Sequence, residues 1–374
     1  MLRITAAGRW LCLAAAGLAL SLTAGPAGAA GPTTVYLPQL AQAYLPAYQP
    51  AADVLRSAAA GRCDWEAGVL ALGWLHAWHA TQISAYFLWA QTWDDACRAA
   101  AVPPASVNDG LLGYAAVEVF GGDPQPERLA YAQSLADWLM AGAPRLPNGT
   151  LTHIGDTVWD DTLLGTVPLL VAMSQATGEA AYAEEAYRQL SWHAQLLQDP
   201  ATGLYHHAWS EGEQRLIGPQ FWGRGNGWVM LATVTALAAM PANHPLRPAL
   251  LAGFQRHAAA LAAVQAPDGR WHTVVDQPDT YLETSGTALI GYGLERGVQA
   301  GWLPAGEFAA AACAAARAVW RQAGTDGVLG DVSAPTGPMP TAADYNLISH
   351  TAGQLYGQGA ALLLERPEAL CPAR

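Results

Sequence analysis

Four short segments of one kind punctuate the chain: Asn148-Gly149-Thr150-Leu151, Thr202-Gly203-Leu204-Tyr205, Asp268-Gly269-Arg270-Trp271 and Asp326-Gly327-Val328-Leu329. Each sets a Gly after a run of helical periodicity, where a positive φ closes a helix, and then turns into a brief extended stretch. Around them apolar residues recur at helical spacing. The spacing predicts helices near 37–58, 64–79, 82–101, 108–121, 125–142, 158–177, 179–198, 223–240, 246–266, 281–301, 304–323 and 344–365. Ala dominates many of these, as helix propensity favours, and hardly any stretch alternates long enough for a major strand. The helices come in pairs and the pairs repeat. The four Gly residues lie 54, 66 and 58 residues apart, too unevenly for an open solenoid of identical units. The expected fold is all-α: an (α/α)6 barrel of six helical hairpins, with connections at one end lining a cavity.

At 52% hydrophobic and 13% charged residues the chain is not intrinsically disordered. All 18 basic residues are Arg and the formal charge is −12. Neither nucleic acid nor an anionic membrane is an expected partner. Arg3 and Arg9, the apolar run Trp10 to Leu22 and the small residues Ala27-Gly28-Ala29 form a leader, so residues 1–30 are expected to be a signal peptide and 31–374 a single catalytic domain. Losing the leader's two Arg takes the charge to −14. The mature protein is expected to be exported, periplasmic or secreted, and free of the membrane. Export permits disulfides. Cys63 and Cys97 flank a helical hairpin at similar distances from its turn, which predicts their pairing, against the alternative of four buried thiols. No Cys spacing suits zinc.

Three constellations carry chemistry. Val158-Trp159-Asp160-Asp161-Thr162 enters a helix. Carboxylates there serve as N-cap and dipole partners, the plain reading of Asp160. A carboxyl beside Trp159 in a closed cavity is also desolvated, which raises its pKa and suits it to general acid work. The second is Phe221-Trp222-Gly223-Arg224-Gly225-Asn226-Gly227-Trp228. Its glycines let backbone approach a ligand, its Trp faces suit sugar rings, and Arg224 can fork onto a carboxylate. It lacks the phosphate-loop pattern GxxxxGK[ST]. The third is Gly203-Leu204-Tyr205-His206-His207-Ala208-Trp209, where adjacent His residues point apart. His153, His206, His207, Trp209, Trp271 and His272 all follow the Gly turns, so they are expected at one end of the barrel.

With these residues the chain resembles the unsaturated rhamnogalacturonyl hydrolases of glycoside hydrolase family 105, related to the unsaturated glucuronyl hydrolases of family 88. The resemblance runs from about Trp65 to Ala360. It rests on Trp159-Asp160-Asp161-Thr162 with Pro168, on Thr202 to Trp209, on Phe221 to Trp228, on Tyr281 to Ser285 and on Tyr356 to Leu363. It implies an (α/α)6 barrel acting on lyase-generated oligosaccharides that end in a 4,5-unsaturated uronic acid. It implies hydration of the enol ether, with no metal and no organic cofactor.

Carried over, the resemblance makes Asp161 the proton donor, with Asp160 the adjacent competitor. Asp109 is the candidate second carboxylate, with Asn108 contesting that position, and His207 is the site histidine. Trp222, Arg224 and Trp228 are expected to bind substrate, along with Trp159 and Trp209, and Trp65 and His153 are further cavity candidates. Leu164 and Gly165 stand where the family carries an aromatic residue and a Met, and a Gly there would open the pocket wall. Ile154 stands where a basic residue often follows the His. With Lys absent, these changes point to another uronide or a longer aglycone. Two rivals remain. One is a different (α/α)6 carbohydrate enzyme, a polysaccharide lyase or an inverting glycosidase with a second carboxylate about 6.5–9.5 Å from the acid. The other is a non-catalytic sugar-binding protein.

Overall fold

Among the described residues, six helices are buried along most of their length. In the computed structural model, which describes residues 56, 59–101, 103–364 and 371, they are α1 (Trp65–Thr81), α3 (Gly110–Gly122), α5 (Thr162–Thr177), α7 (Gly223–Ala239), α9 (Thr284–Gln299) and α12 (Leu355–Leu363). Each packs on the next, and α12 packs on α1, which closes a ring. A helix that is apolar and small on every side must be surrounded, and α7 accordingly buries every residue from Gly223 to Leu237. The outer helices are α2 (Ser84–Ala100), α4 (Pro126–Asp137), α6 (Ala180–Leu197), α8 (Arg247–Ala263) and α10 (Ala305–Arg321). Each presents one apolar stripe inward. In α10 that stripe is Phe308, Ala312, Cys313, Ala315, Ala316 and Val319. This is the expected barrel. The leader and, apart from Arg56, the helix near 37–58 lie outside the described residues.

All four Gly of the repeated turns have positive φ, between 79° and 97°. The extended stretches after them lead toward short antiparallel strands, β1 (Thr157–Trp159), β2 (Ala208–Ser210), β3 (Arg215–Gly218), β4 (Trp271–His272), β5 (Leu282–Glu283), β6 (Val332–Ser333) and β7 (His350–Thr351). These strands shorten three of the expected helices. Residues 158–159 belong to β1, and 282–283 to β5, where the Glu283 carboxylate accepts the Ser285 and Gly286 N–H groups and starts α9 there. The expected helix 344–365 is two pieces, α11 (Ala342–Asn346) and α12, separated by β7 and by Gly353 at φ +84°.

Disulfides join Cys63 to Cys97, as expected, and Cys313 to Cys371. The first ties the start of α1 to the end of α2. None of the helices among the described residues is long and apolar enough to cross a membrane.

Candidate active site

Strand pairing builds the site. In the sheet β1-β2-β3, Trp159 lies opposite Ala208, and the Asp160 N–H donates to the His207 carbonyl at 3.0 Å. That register sets His207 beside the two carboxyls that follow β1. His207 Nε2 is 3.2 Å from Asp161 Oδ2, and its Nδ1 is 2.5 Å from the Tyr345 hydroxyl of α11. The Trp222 ring stacks on the other face of the imidazole, with centroids 4.3 Å apart. His207 is buried, and burial holds it below the usual histidine pKa despite Asp161, so it is neutral. The Met339 N–H donates to the same Tyr345 hydroxyl at 3.1 Å. The hydroxyl proton is therefore directed to Nδ1, and Nε2–H donates to Asp161.

A cavity of about 270 Å³ opens above Asp161, lined by the N-terminal ends of four inner helices and one loop. Trp65, Asn108, His153, Trp159 and Trp228 form its walls, with Leu111 and Leu164 between them and Pro335 to Gly337 opposite. The Asp161 side chain is 19% exposed, and it is the one carboxyl among the lining residues. His153 stacks on Trp159 at 4.4 Å, faces the Thr162 hydroxyl at 3.1 Å, and is held below its ordinary pKa by burial. Burial works to raise Asp161, but the hydrogen bond from His207 outweighs it and leaves this carboxyl well below the usual range. Asp160 is 0% exposed and is pushed far up by desolvation and by Asp161. A larger cavity, about 920 Å³, lies at the opposite end of the barrel. Its one carboxyl, Glu118, is already 3.5 Å from His79.

The site residues expected from sequence divide into three groups. Asp161, Trp65, His153, Trp159 and Trp228 reach the cavity, and His207 touches Asp161 from behind. Asp109 does not reach it. Its carboxylate accepts the N–H groups of Ala105 and Ser106 in a capping box, and Asn108 lines the cavity instead. Arg224 is not among the lining residues either. It is 1% exposed and lies between the Trp222 and Tyr356 rings. Its guanidinium donates to the Ser333 carbonyl at 3.0 Å, the Ser333 hydroxyl at 2.6 Å and the Ala334 carbonyl at 3.0 Å. It therefore holds the loop whose next residues form the cavity wall. Trp222 is buried beneath His207, and Trp209 sits on β2 with its indole N–H toward Glu211. Neither lines the cavity.

His206 bonds the Pro219 carbonyl and His272 the Thr280 carbonyl, and Trp271 donates to the Leu261 carbonyl. These are turn and core contacts. Gly165 does not open the wall: a Cβ there would stand 2.3 Å from the Val107 carbonyl oxygen. That backbone contact between α5 and the turn before α3 is what brings Asn108 and Asp161 into one cavity. Tyr345 and the Pro335–Gly337 wall were not singled out from sequence, because Tyr345 sits in no recognisable motif and acts across 138 residues of chain. Asp160, Asp161 and His207 could together offer three ligand atoms, all within 4.8 Å of one another, to a metal ion.

An inner ring of helices with one exposed carboxyl among stacked aromatics defines a barrel-type carbohydrate enzyme. Residues 42–366 match the model of Glycosyl Hydrolase Family 88, and the chain belongs to that family as a glycoside hydrolase. It is 31% identical over 307 residues to the unsaturated rhamnogalacturonyl hydrolase YesR of Bacillus subtilis, covering 80% of this chain and 87% of that one. Among solved structures it is similar to a possible member of the GH105 family from Salmonella enterica, with TM-score 0.77, 29% identity and coverage of 80% and 81%. It also shares its fold with a possible GH105 member from Klebsiella pneumoniae, with TM-score 0.81, 24% identity and coverage of 92% and 98%.

Proposed function

We propose that this enzyme removes a 4,5-unsaturated uronic acid from the non-reducing end of lyase-generated oligosaccharides of the pectin or rhamnogalacturonan type, by hydrating the enol ether. The observation that carries this reading is the single carboxyl of the cavity. Inversion of a glycosidic bond takes a second carboxylate across the ring, about 6.5–9.5 Å away, and the lining residues offer none beside Asp161. Hydration takes one proton donor and a water.

Protonated Asp161 gives its proton to C4, and the C4–C5 π pair forms the new C–H bond. Positive charge develops at C5 and on the ring oxygen. Water adds at C5 and returns a proton to Asp161. The resulting hemiketal opens the ring, and the hemiacetal left at C1 expels the aglycone alcohol. Trp159, Trp65 and Trp228 offer ring faces to the sugar, and His207 fixes the Asp161 carboxyl. No Arg lines the cavity among the described residues, so the substrate carboxylate is met by neutral donors such as Asn108 and Thr336. The N-termini of four inner helices, whose dipoles favour an anion, add to that recognition. The same carboxylate, brought near Asp161 as water leaves, raises the proton affinity of Asp161 and loads it for the reaction. We place the enzyme outside the cytoplasm, a reading that two disulfides and the leader support.

The test uses the ultraviolet absorbance of the conjugated unsaturated uronate across a panel of lyase-treated pectins and glycosaminoglycans. Falling absorbance on one of them supports hydration and names the sugar. A rise on intact polysaccharide is the lyase result and overturns it.

A further inference from the structure

The least accommodated group in the site is Asp160. It is 0% exposed, and neither of its oxygens meets a hydrogen-bond donor. Its Oδ2 lies over Gly225, where a Cβ would stand only 2.0 Å away, so the α7 backbone closes one side. The titratable and charged groups around the carboxyl pair are His153, His207, Tyr345 and Arg224. Burial keeps both histidines neutral and keeps Tyr345 a phenol. The Arg224 guanidinium is spent on the Ser333 and Ala334 carbonyls and lies 3.9 Å from the buried Glu283 carboxylate. An ionised carboxylate with no donor in a dry pocket is strongly disfavoured. A neutral carboxyl needs only one acceptor, and the neighbour is Asp161, which offers a carboxylate oxygen within 4.8 Å of one of Asp160.

We propose that Asp160 is a positioning residue, a neutral carboxyl whose O–H donates a hydrogen bond to the Asp161 carboxylate. The inference rests on the reading of Asp161 as proton donor. Asp161 then receives two donors, His207 Nε2–H and Asp160 O–H. Both stabilise the anion that forms as the proton passes to C4, and both make Asp161 a stronger acid toward a weakly basic carbon. Asp160 keeps its own proton throughout, so the balance of the reaction is unchanged.

The experiment compares the pH dependence of kcat/KM in wild type, Asp160→Leu and Asp160→Asn. Activity requires protonated Asp161, so kcat/KM falls as pH rises through the Asp161 pKa. Leu has the shape of Asp without a donor. It is expected to move the falling limb up by about one pH unit and to lower the acidic plateau about tenfold. Asn still donates and is expected to keep the wild-type limb. A shift of both variants to lower pH would mean an ionised Asp160 and overturn the proposal, as would a Leu limb coincident with wild type. If the Leu variant does not fold, infrared spectroscopy at about pH 8 decides. A protonated carboxyl band present in wild type and missing from Asp160→Asn supports the proposal, and its absence from wild type overturns it. Wild-type activity lost to a chelator and restored by Zn2+ would overturn it too, because an ion would stand in place of the proton. A wild-type rate in Asp161→Asn would overturn the parent reading instead. An inactive Asp161→Asn with an unmoved Leu limb would overturn this inference alone.

Discussion

His207 Nε2 lies 3.2 Å from Asp161 Oδ2, and this contact orients the one carboxyl that lines the cavity among the described residues. Its direction is set from the far side of the ring, where Tyr345 occupies Nδ1 and takes the Met339 N–H. Replacing Tyr345 by Phe leaves Nδ1 and that N–H without partners. Losing such buried partners costs about 1–3 kcal/mol. The expected variant is folded and less stable by that amount, with kcat lowered about tenfold and KM little changed. Thermal unfolding and steady-state kinetics check it.

The pH profile has a predicted sign. In the free enzyme the Asp161 pKa is depressed by His207, so kcat/KM should be greatest in acid and fall as pH rises. In the loaded enzyme the substrate carboxylate and the loss of water raise Asp161. The limb in kcat should therefore lie at higher pH than the limb in kcat/KM. Coincident limbs would contradict a substrate that loads its own acid.

Asn108 and Asp109 make a contrast between neighbours. Asp109→Ala removes two hydrogen bonds of a capping box and is expected to cost about 0.5–2 kcal/mol of stability with kcat unchanged. Asn108→Ala removes a polar group from the cavity and is expected to raise KM several-fold at little cost in stability. The reverse pattern would restore Asp109 as the second carboxylate.

Arg224 separates a clamp from a brace. Buried, stacked on Trp222 and Tyr356, bonded to the 333–334 backbone and 3.9 Å from the buried Glu283 carboxylate, its change to Ala should destabilise by about 3–5 kcal/mol, because it leaves that carboxylate without its charged partner. Lys, without the planar fork, should not rescue it. A clamp would instead show raised KM at full stability.

The barrel was legible because helical spacing recurs in pairs along the chain and the Gly turns mark the repeats, while the division into inner and outer helices came from burial, all round in α7 against a single stripe in α10. Asp161 and the Trp residues around it were legible because the helix start and the aromatics lie together in local motifs. Arg224 and Asp109 were placed in the cavity from sequence for a common reason, and the structure gives both of them backbone partners outside it. Their residue types suit catalysis equally well as they suit structure, and only the positions of the Ser333 loop and the Ala105 backbone decide between the two. Tyr345 could not be found, since its partner comes from a loop far along the chain. Gly165 was read as open space, whereas it is the point where two backbones touch.

The most direct test of the central claim is the loss of ultraviolet absorbance on a lyase-generated unsaturated oligosaccharide, followed for wild type and Asp161→Asn side by side. The account predicts steady loss with wild type and a rate lower by about 10²–10⁴-fold in a folded Asp161→Asn protein. Equal rates in the two proteins would contradict it.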